Sequence, residues 1–316
     1  MMTEKRTVPA DEENVVIRSR SCSLTLLPQF GGKISSIQID GRELLQAPLA
    51  PLAPRTHNMP FDAGDAGGWD ECLPSVAACT AQTPSGPADI PDHGDLWRVP
   101  WEFVSSSTVR GRCFSLPLAL ERSLILSETA GGCSLRLNYK LTNTGSDPVP
   151  WSWAAHPLFA VDAGDTVVLP GSVSSLRVEG SAGNRLGNTN STVTWPHVTL
   201  PQGIRTDLSV VQSPRSGIGD KLFAGPLARD ANWCELHRPK AGLRLRVTFN
   251  AAVTPYVGLW LCYGGWPGRP GPKQNCVALE PATAPVDSLA QSGPWSRTLE
   301  PGQSASWPMS LEIEII

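Results

Sequence analysis

The chain has 316 residues, 41% hydrophobic and 17% charged, with a formal net charge of −3. That is enough to bury a large core, as one big all-β domain or two ordinary ones, and it excludes a disordered chain. No run of Lys or Arg exceeds two residues and no apolar run approaches the roughly 20 residues of a membrane span, so neither nucleic acid nor a membrane is an expected partner.

In chain order, "MMTEKRTVPADEENVV" lacks the apolar stretch of a signal peptide, and residues 1–20 read as an N-terminal extension, partly flexible. "CSLTLLPQFGGKISSIQIDGREL" then reads as strand, glycine turn, strand and a second turn at Asp40-Gly41. The stretch from about Ala47 to Pro91 is rich in Pro, Gly and Asp and reads as a long irregular segment, the kind usually kept for function. In "CSLRLNYKLTN", Cys133, Leu135, Leu137, Tyr139 and Leu141 alternate with polar residues, the pattern of a half-exposed antiparallel strand. "TVVLPG" and "STVTWPHVTL" add strands, and "GLRLRVTFN" and the terminal "SLEIEII" repeat the alternation. "YVGLWLCYGG" is apolar on both faces, as a central strand should be, and "VDSLAQS" is the best candidate for a turn or two of helix. With 29 glycines and 30 prolines spread along the chain and no composition break, residues 21–316 read as one domain, an all-β, large antiparallel β-sandwich with few short helices.

The eight cysteines form no C-x-x-C pair and have no histidine at finger spacing, so no zinc site is expected. They read as reduced thiols behaving as small hydrophobes in a cytoplasmic protein. There is no G-x-G-x-x-G and no phosphate-binding loop, hence no expected nucleotide cofactor. Eleven tryptophans against three tyrosines suit core packing and also stacking on sugar rings.

Five histidines limit the acid–base chemistry. His156 lies in the apolar "WSWAAHPLF" and His93 in "PDHGDLWR"; a lone histidine in either setting is more often structural than catalytic. Glu280 follows "CVAL" and precedes Pro281, so a carboxylate closes an apolar strand. Either it is hydrated at a strand end or it serves as a base whose pKa an apolar site raises. Trp69, Asp70 and Glu71 in "GGWDECLPS" read equally as a sugar-binding wall or as a loop anchor with solvated acids. Asp220 and Lys221 in "GIGDKLFAGP" could reach sugar hydroxyls or a phosphate, or form a charged turn. Arg98 is a further cationic candidate, with Arg42 and Trp266 behind it.

In order, "GGKISSIQIDGRELL", "GGWDECLPS", "PDHGDLWR", "WSWAAHPLF" and "VALEPATAPVDSL" give a chain that resembles the aldose 1-epimerase (galactose mutarotase-like) family from about Ser21 to the C-terminus. The resemblance implies a β-supersandwich with a sugar cleft, no cofactor, and a monosaccharide substrate whose α- and β-anomers are exchanged. It implies His156 as general acid, Glu280 as general base and His93 as a second imidazole near the ring oxygen. The family's Asn-Arg pair is replaced here by His57-Asn58-Met59, its His-Gly-Gly by His93-Gly94-Asp95, and an aromatic two residues after the second histidine by Leu158. These departures leave the sugar open. Alternatives are a sugar-phosphate mutarotase, which Arg98 or Lys221 in the cleft would favour, and a non-catalytic carbohydrate-binding protein. A glycosidase would need a second carboxylate such as Asp70 or Glu71. A monomer or homodimer is expected.

Overall fold

The alternation in "CSLRLNYKLTN" becomes the 12-residue strand Gly132–Asn143, in which Leu135, Leu137 and Leu141 are wholly buried. It pairs antiparallel with Leu118–Thr129 on one side and Ser304–Ile315 on the other. These strands form the middle of an 8-stranded sheet that also takes in Leu243–Phe249 and Trp233–Arg238. The computed structural model describes residues 14–316, so residues 1–13 of the expected N-terminal extension lie outside the described residues. The extension ends sooner than position 20: Val15–Arg18 is already a strand, paired with Cys22–Leu27.

Those two strands begin a second sheet, 11-stranded and antiparallel. Its centre is the series Trp69–Cys72, Ala154–Ala160, Asn275–Ala282, Tyr256–Tyr263 and Ile218–Ala224, each hydrogen-bonded to the next. Tyr256–Tyr263 therefore has a strand on both sides and buried residues on both faces, as its unbroken apolar run requires. The sheets pack face to face around one core that draws Leu24, Ile37 and Leu259 from the larger and Leu135, Leu245 and Leu311 from the smaller. Burial of such side chains contributes about 1.5–3 kcal/mol each and holds the sandwich together.

Two expectations are corrected. Cys22 and Cys133 are not free thiols but form a disulfide across the two sheets, with Cα atoms 6.6 Å apart. Their outward-directed neighbours alternate away, so both sulfurs enter the same core. The other six cysteines are free. The stretch 47–91 is less irregular than its composition suggests, because it contributes the strand Trp69–Cys72 and a hairpin of Cys79–Thr83 with Gly86–Ile90. "VDSLAQS" supplies the expected short helical turn, the 3-10 turn Leu289–Gln291. Among the described residues no helix is long and apolar enough to cross a membrane.

Candidate active site

Pairing register decides what meets on the open face of the larger sheet. Directly opposite residues in an antiparallel pair point to the same side, and successive residues alternate. His156 lies opposite Asp70, Glu280 opposite Gly258, and Lys221 opposite Trp260, which lies opposite Ala278 two residues before Glu280. His156, Glu280 and Lys221 thus share one face, although 124 residues separate the first two. Glu280 does not close its strand as expected: Asn275–Ala282 runs past it and through Pro281. Between the pairs Ala154–Ala282 and Leu158–Ala278 no rungs join these strands, and Pro157 and Pro281, which lack an amide N–H, lie in that gap.

A cavity of about 160 Å³ is lined by His156, Glu280, Lys221, His93, Asp92 and Asp287. Typical pockets for drug-sized ligands are roughly 300–1,000 Å³, so this one suits a single small molecule. Its walls are aromatic: Phe61, Trp260 and Trp266. Trp260 is fixed by donating its indole N–H to Gln274 Oε1 at 2.8 Å, while Gln274 itself is tied to the carbonyl of Ala66.

His93 enters from the turn after Ile90. Its φ of 60° is left-handed, unusual without glycine, and its amide is held by the carbonyl of Val76. Its ring stacks on Phe61 at 3.7 Å and meets His156 edge-on at 5.1 Å. Its Nδ1 lies 2.9 Å from Asp92 Oδ2. Burial works against the Asp92 charge, but this hydrogen bond and the nearby imidazole outweigh it and hold the carboxyl below its usual range. Burial also pushes His156 well below the ordinary imidazole value, and the neighbouring His93, Lys221 and Lys33 act in the same direction. Among the described residues no group partners the buried His156 Nδ1.

Glu280 is wholly buried, and its neighbour is a cation, contrary to the apolar setting expected. Lys221 Nζ contacts Oε2, while Oε1 has no hydrogen-bond partner among the described residues. Lys221 also lies 3.5 Å from Asp287 Oδ1. Burial opposes the lysine's charge, but Asp287 and Glu280 overcome it and raise its pKa. Burial raises Asp287 to about 6, with Lys221 opposing the rise and Glu280 and Glu179 adding to it.

Four of the nine sequence candidates therefore converge here: His93, His156, Lys221 and Glu280. Trp69, Asp70, Glu71, Asp220 and Arg98 do not line the cavity. Trp69 and Glu71 alternate to the inter-sheet side. There Glu71 accepts hydrogen bonds from Arg122 at 2.9 Å, Tyr139 Oη at 2.9 Å and Trp153 Nε1 at 3.0 Å. Asp70 has the right facing but is claimed by Lys33 at 2.5 Å, which also pairs with Asp65 at 3.2 Å. Asp220 points away from Lys221, toward Ser181 and Arg185. Arg98 braces the His93 turn by donating to the carbonyls of Asp92 and Gly94 while stacking on Trp97. Arg42 is exposed on the strand Arg42–Glu43, whereas Trp266 is part of the wall. Asp92, Asp287, Phe61, Trp260 and Gln274 were not singled out from the sequence. For Asp287 the one available signal was a lone acid seven residues beyond Glu280.

A two-sheet antiparallel sandwich is the architecture of the galactose mutarotase-like proteins, and solved structures share this fold. A protein of Synechocystis sp. PCC 6803, Slr1438, is similar over 100% of both chains at 18% identity, with a TM-score of 0.70. An Escherichia coli K12 protein described as a putative aldose 1-epimerase matches over 96% of this chain and 99% of its own at 16% identity and TM-score 0.65. A galactose mutarotase related enzyme from Lactobacillus acidophilus gives the same coverage and TM-score at 14% identity. No family model matches the chain. No curated protein matches it in sequence. The chain thus has the β-supersandwich fold of aldose 1-epimerase and galactose mutarotase-like proteins.

Proposed function

We propose that this protein is a cofactor-independent mutarotase that exchanges the α- and β-anomers of a small aldose. One observation carries the reading: Glu280, whose buried oxygen Oε1 has no hydrogen-bond partner among the described residues, lines the same aromatic-walled cavity as two imidazoles. Glu280 removes the proton of the anomeric hydroxyl, and its electron pair forms the aldehyde carbonyl as the bond from C1 to the ring oxygen breaks. His156 supplies the proton that the ring oxygen takes up. Rotation about C1–C2 and the reverse transfers close the ring on the other face. Burial keeps the His156 imidazole neutral, so the proton it supplies is that of its ring N–H, the role a neutral histidine with a depressed pKa plays as an electrophile. His93, oriented by Asp92, lies beside it. Trp260 and Trp266 offer faces for the sugar ring.

Lys221 in the cavity is the feature that favours a phosphorylated sugar, but both of its contacts are carboxylates. Asp70 and Glu71, the acids a glycosidase was expected to use, are bound to other cations outside the cavity.

The test is anomer exchange followed by NMR across a panel of aldoses, with a methyl glycoside as a blocked control. Acceleration by the wild type, a loss of about 10²-fold or more in Glu280→Gln and an untouched glycoside are expected. A sugar that binds while its anomers exchange no faster than in buffer overturns the enzyme reading in favour of a binding protein. Hydrolysis of the glycoside overturns it in favour of a glycosidase.

A further inference from the structure

We propose that Asp287 is a specificity-determining residue: with Glu280 it claims the cavity's one lysine, and so restricts the site to aldoses that carry no anionic group. The proposal rests on the mutarotase reading and names the substrate class for that site.

A sugar phosphate or a uronic acid needs a cation whose charge is not already balanced by carboxylates of the protein. Phosphate and carboxylate groups are held by charge-assisted hydrogen bonds from Arg or Lys. Lys221 is the cation among the cavity's lining residues, and two carboxylates already share it, Glu280 Oε2 in direct contact and Asp287 Oδ1 at 3.5 Å. Asp92 adds a third acid on the same wall. Arg98 behind the wall gives its guanidinium to backbone carbonyls. The lining thus carries three carboxylates against one ammonium, in a partly desolvated space where like charges repel strongly.

Asp287 is built into this position. Its amide donates to Glu179 Oε1 and its carbonyl accepts from the amides of Val76 and Ala77, fixing the backbone on both sides. The charged and titratable groups around its carboxyl are Lys221, Glu280, His93 with Asp92, and Glu179, which pairs with Arg177; the buried Cys72 thiol is also near. Burial raises its carboxyl to about 6, so the exclusion is strongest well above that pH and weakens as the pH falls through it.

The experiment measures binding, not turnover. Quenching of Trp260 and Trp266 fluorescence is titrated with matched sets of each neutral hexose or pentose, its terminal phosphate and its uronate, from pH 5 to pH 8. In wild type the neutral member of the best-bound set is expected to bind about tenfold or more tighter than its anionic forms at pH 7.5. With the uronate, whose own carboxyl stays ionised in this range, the ratio should fall below pH 6. Asp287→Asn should narrow the ratio several-fold at pH 7.5 and remove its pH step, whatever it does to neutral-sugar affinity. Circular dichroism verifies that the variant is folded, and Asp287→Glu, which restores the charge, should recover the selectivity. Tighter binding of an anionic member, or an unchanged ratio in folded Asp287→Asn, overturns the proposal. Selective neutral-sugar binding without anomer exchange overturns the mutarotase reading alone. No binding by any member overturns both.

Discussion

Gly258 faces Glu280 across the pairing of Tyr256–Tyr263 with Asn275–Ala282, and its missing side chain is where the carboxylate sits. A Cβ placed there would lie 3.0 Å from Glu280 Oε2, 3.2 Å from Glu280 Cβ and 3.2 Å from the Phe223 ring. Ordinary contact begins near 3.4 Å, so Gly258→Ala must push the carboxylate by a few tenths of an ångström. The oxygen that moves is the one held by Lys221, and Oε1 swings with it. A misplacement of about 1 Å at a reacting group costs on the order of 10²-fold. A fraction of that displacement makes the expected loss in kcat about tenfold. Overpacking of this kind costs about 1–3 kcal/mol of stability. Anomer exchange by NMR gives the rate and urea unfolding the stability. Gly180→Ala is the control in the same sheet, since a Cβ there meets nothing within 4 Å; it should stay within about 0.5 kcal/mol of wild type. If Gly258→Ala keeps wild-type kcat and stability, the glycine does not position Glu280 and the reasoning fails.

Three other perturbations test the rest of the architecture. Arg122→Met strands the wholly buried Glu71 carboxylate, with only Tyr139 and Trp153 left to solvate it, and should cost about 3–5 kcal/mol in urea unfolding. A loss under about 1 kcal/mol would show that the pair is not needed once the tyrosine and indole bonds remain. Cys22→Ser opens a cross-link spanning 111 residues and should cost about 2–4 kcal/mol. Reductant should lower the wild-type unfolding midpoint and leave the variant's alone; equal sensitivity in both would refute a bonded pair. His156 is depressed well below 6.5 in the fold, so the unfolded chain takes up a proton that the native state refuses. Its contribution to stability is present above about pH 6.5 and is lost as the pH falls from there toward the folded value. His156→Gln should flatten the fall in unfolding free energy between pH 7 and pH 5, and an identical slope would mean that His156 is not kept neutral.

Period-2 alternation is a local property, because each residue's face follows from its neighbours. The strands Gly132–Asn143, Leu243–Phe249 and Tyr256–Tyr263, and the all-β class itself, were legible for that reason. His156 and Glu280 were also legible, as chemical types in apolar runs and through the family their motifs resemble. What alternation leaves open is which of two adjacent acids or bases faces the cavity. Trp69-Asp70-Glu71 and Asp220-Lys221 each contain both orientations, and register with Ala154–Ala160 and Tyr256–Tyr263 selected one. Even correct facing did not suffice for Asp70, because Lys33, 37 residues away, had claimed it. The disulfide, the Arg122–Glu71 pair and the sharing of Lys221 by Glu280 and Asp287 all join residues from different strands and loops. By itself the sequence determined that this chain folds as a β-sandwich and carries acid–base groups in its apolar runs. Only the tertiary structure decided which of those groups share a cavity and which are spent on one another, because charge pairing depends on distance in space and not on position along the chain.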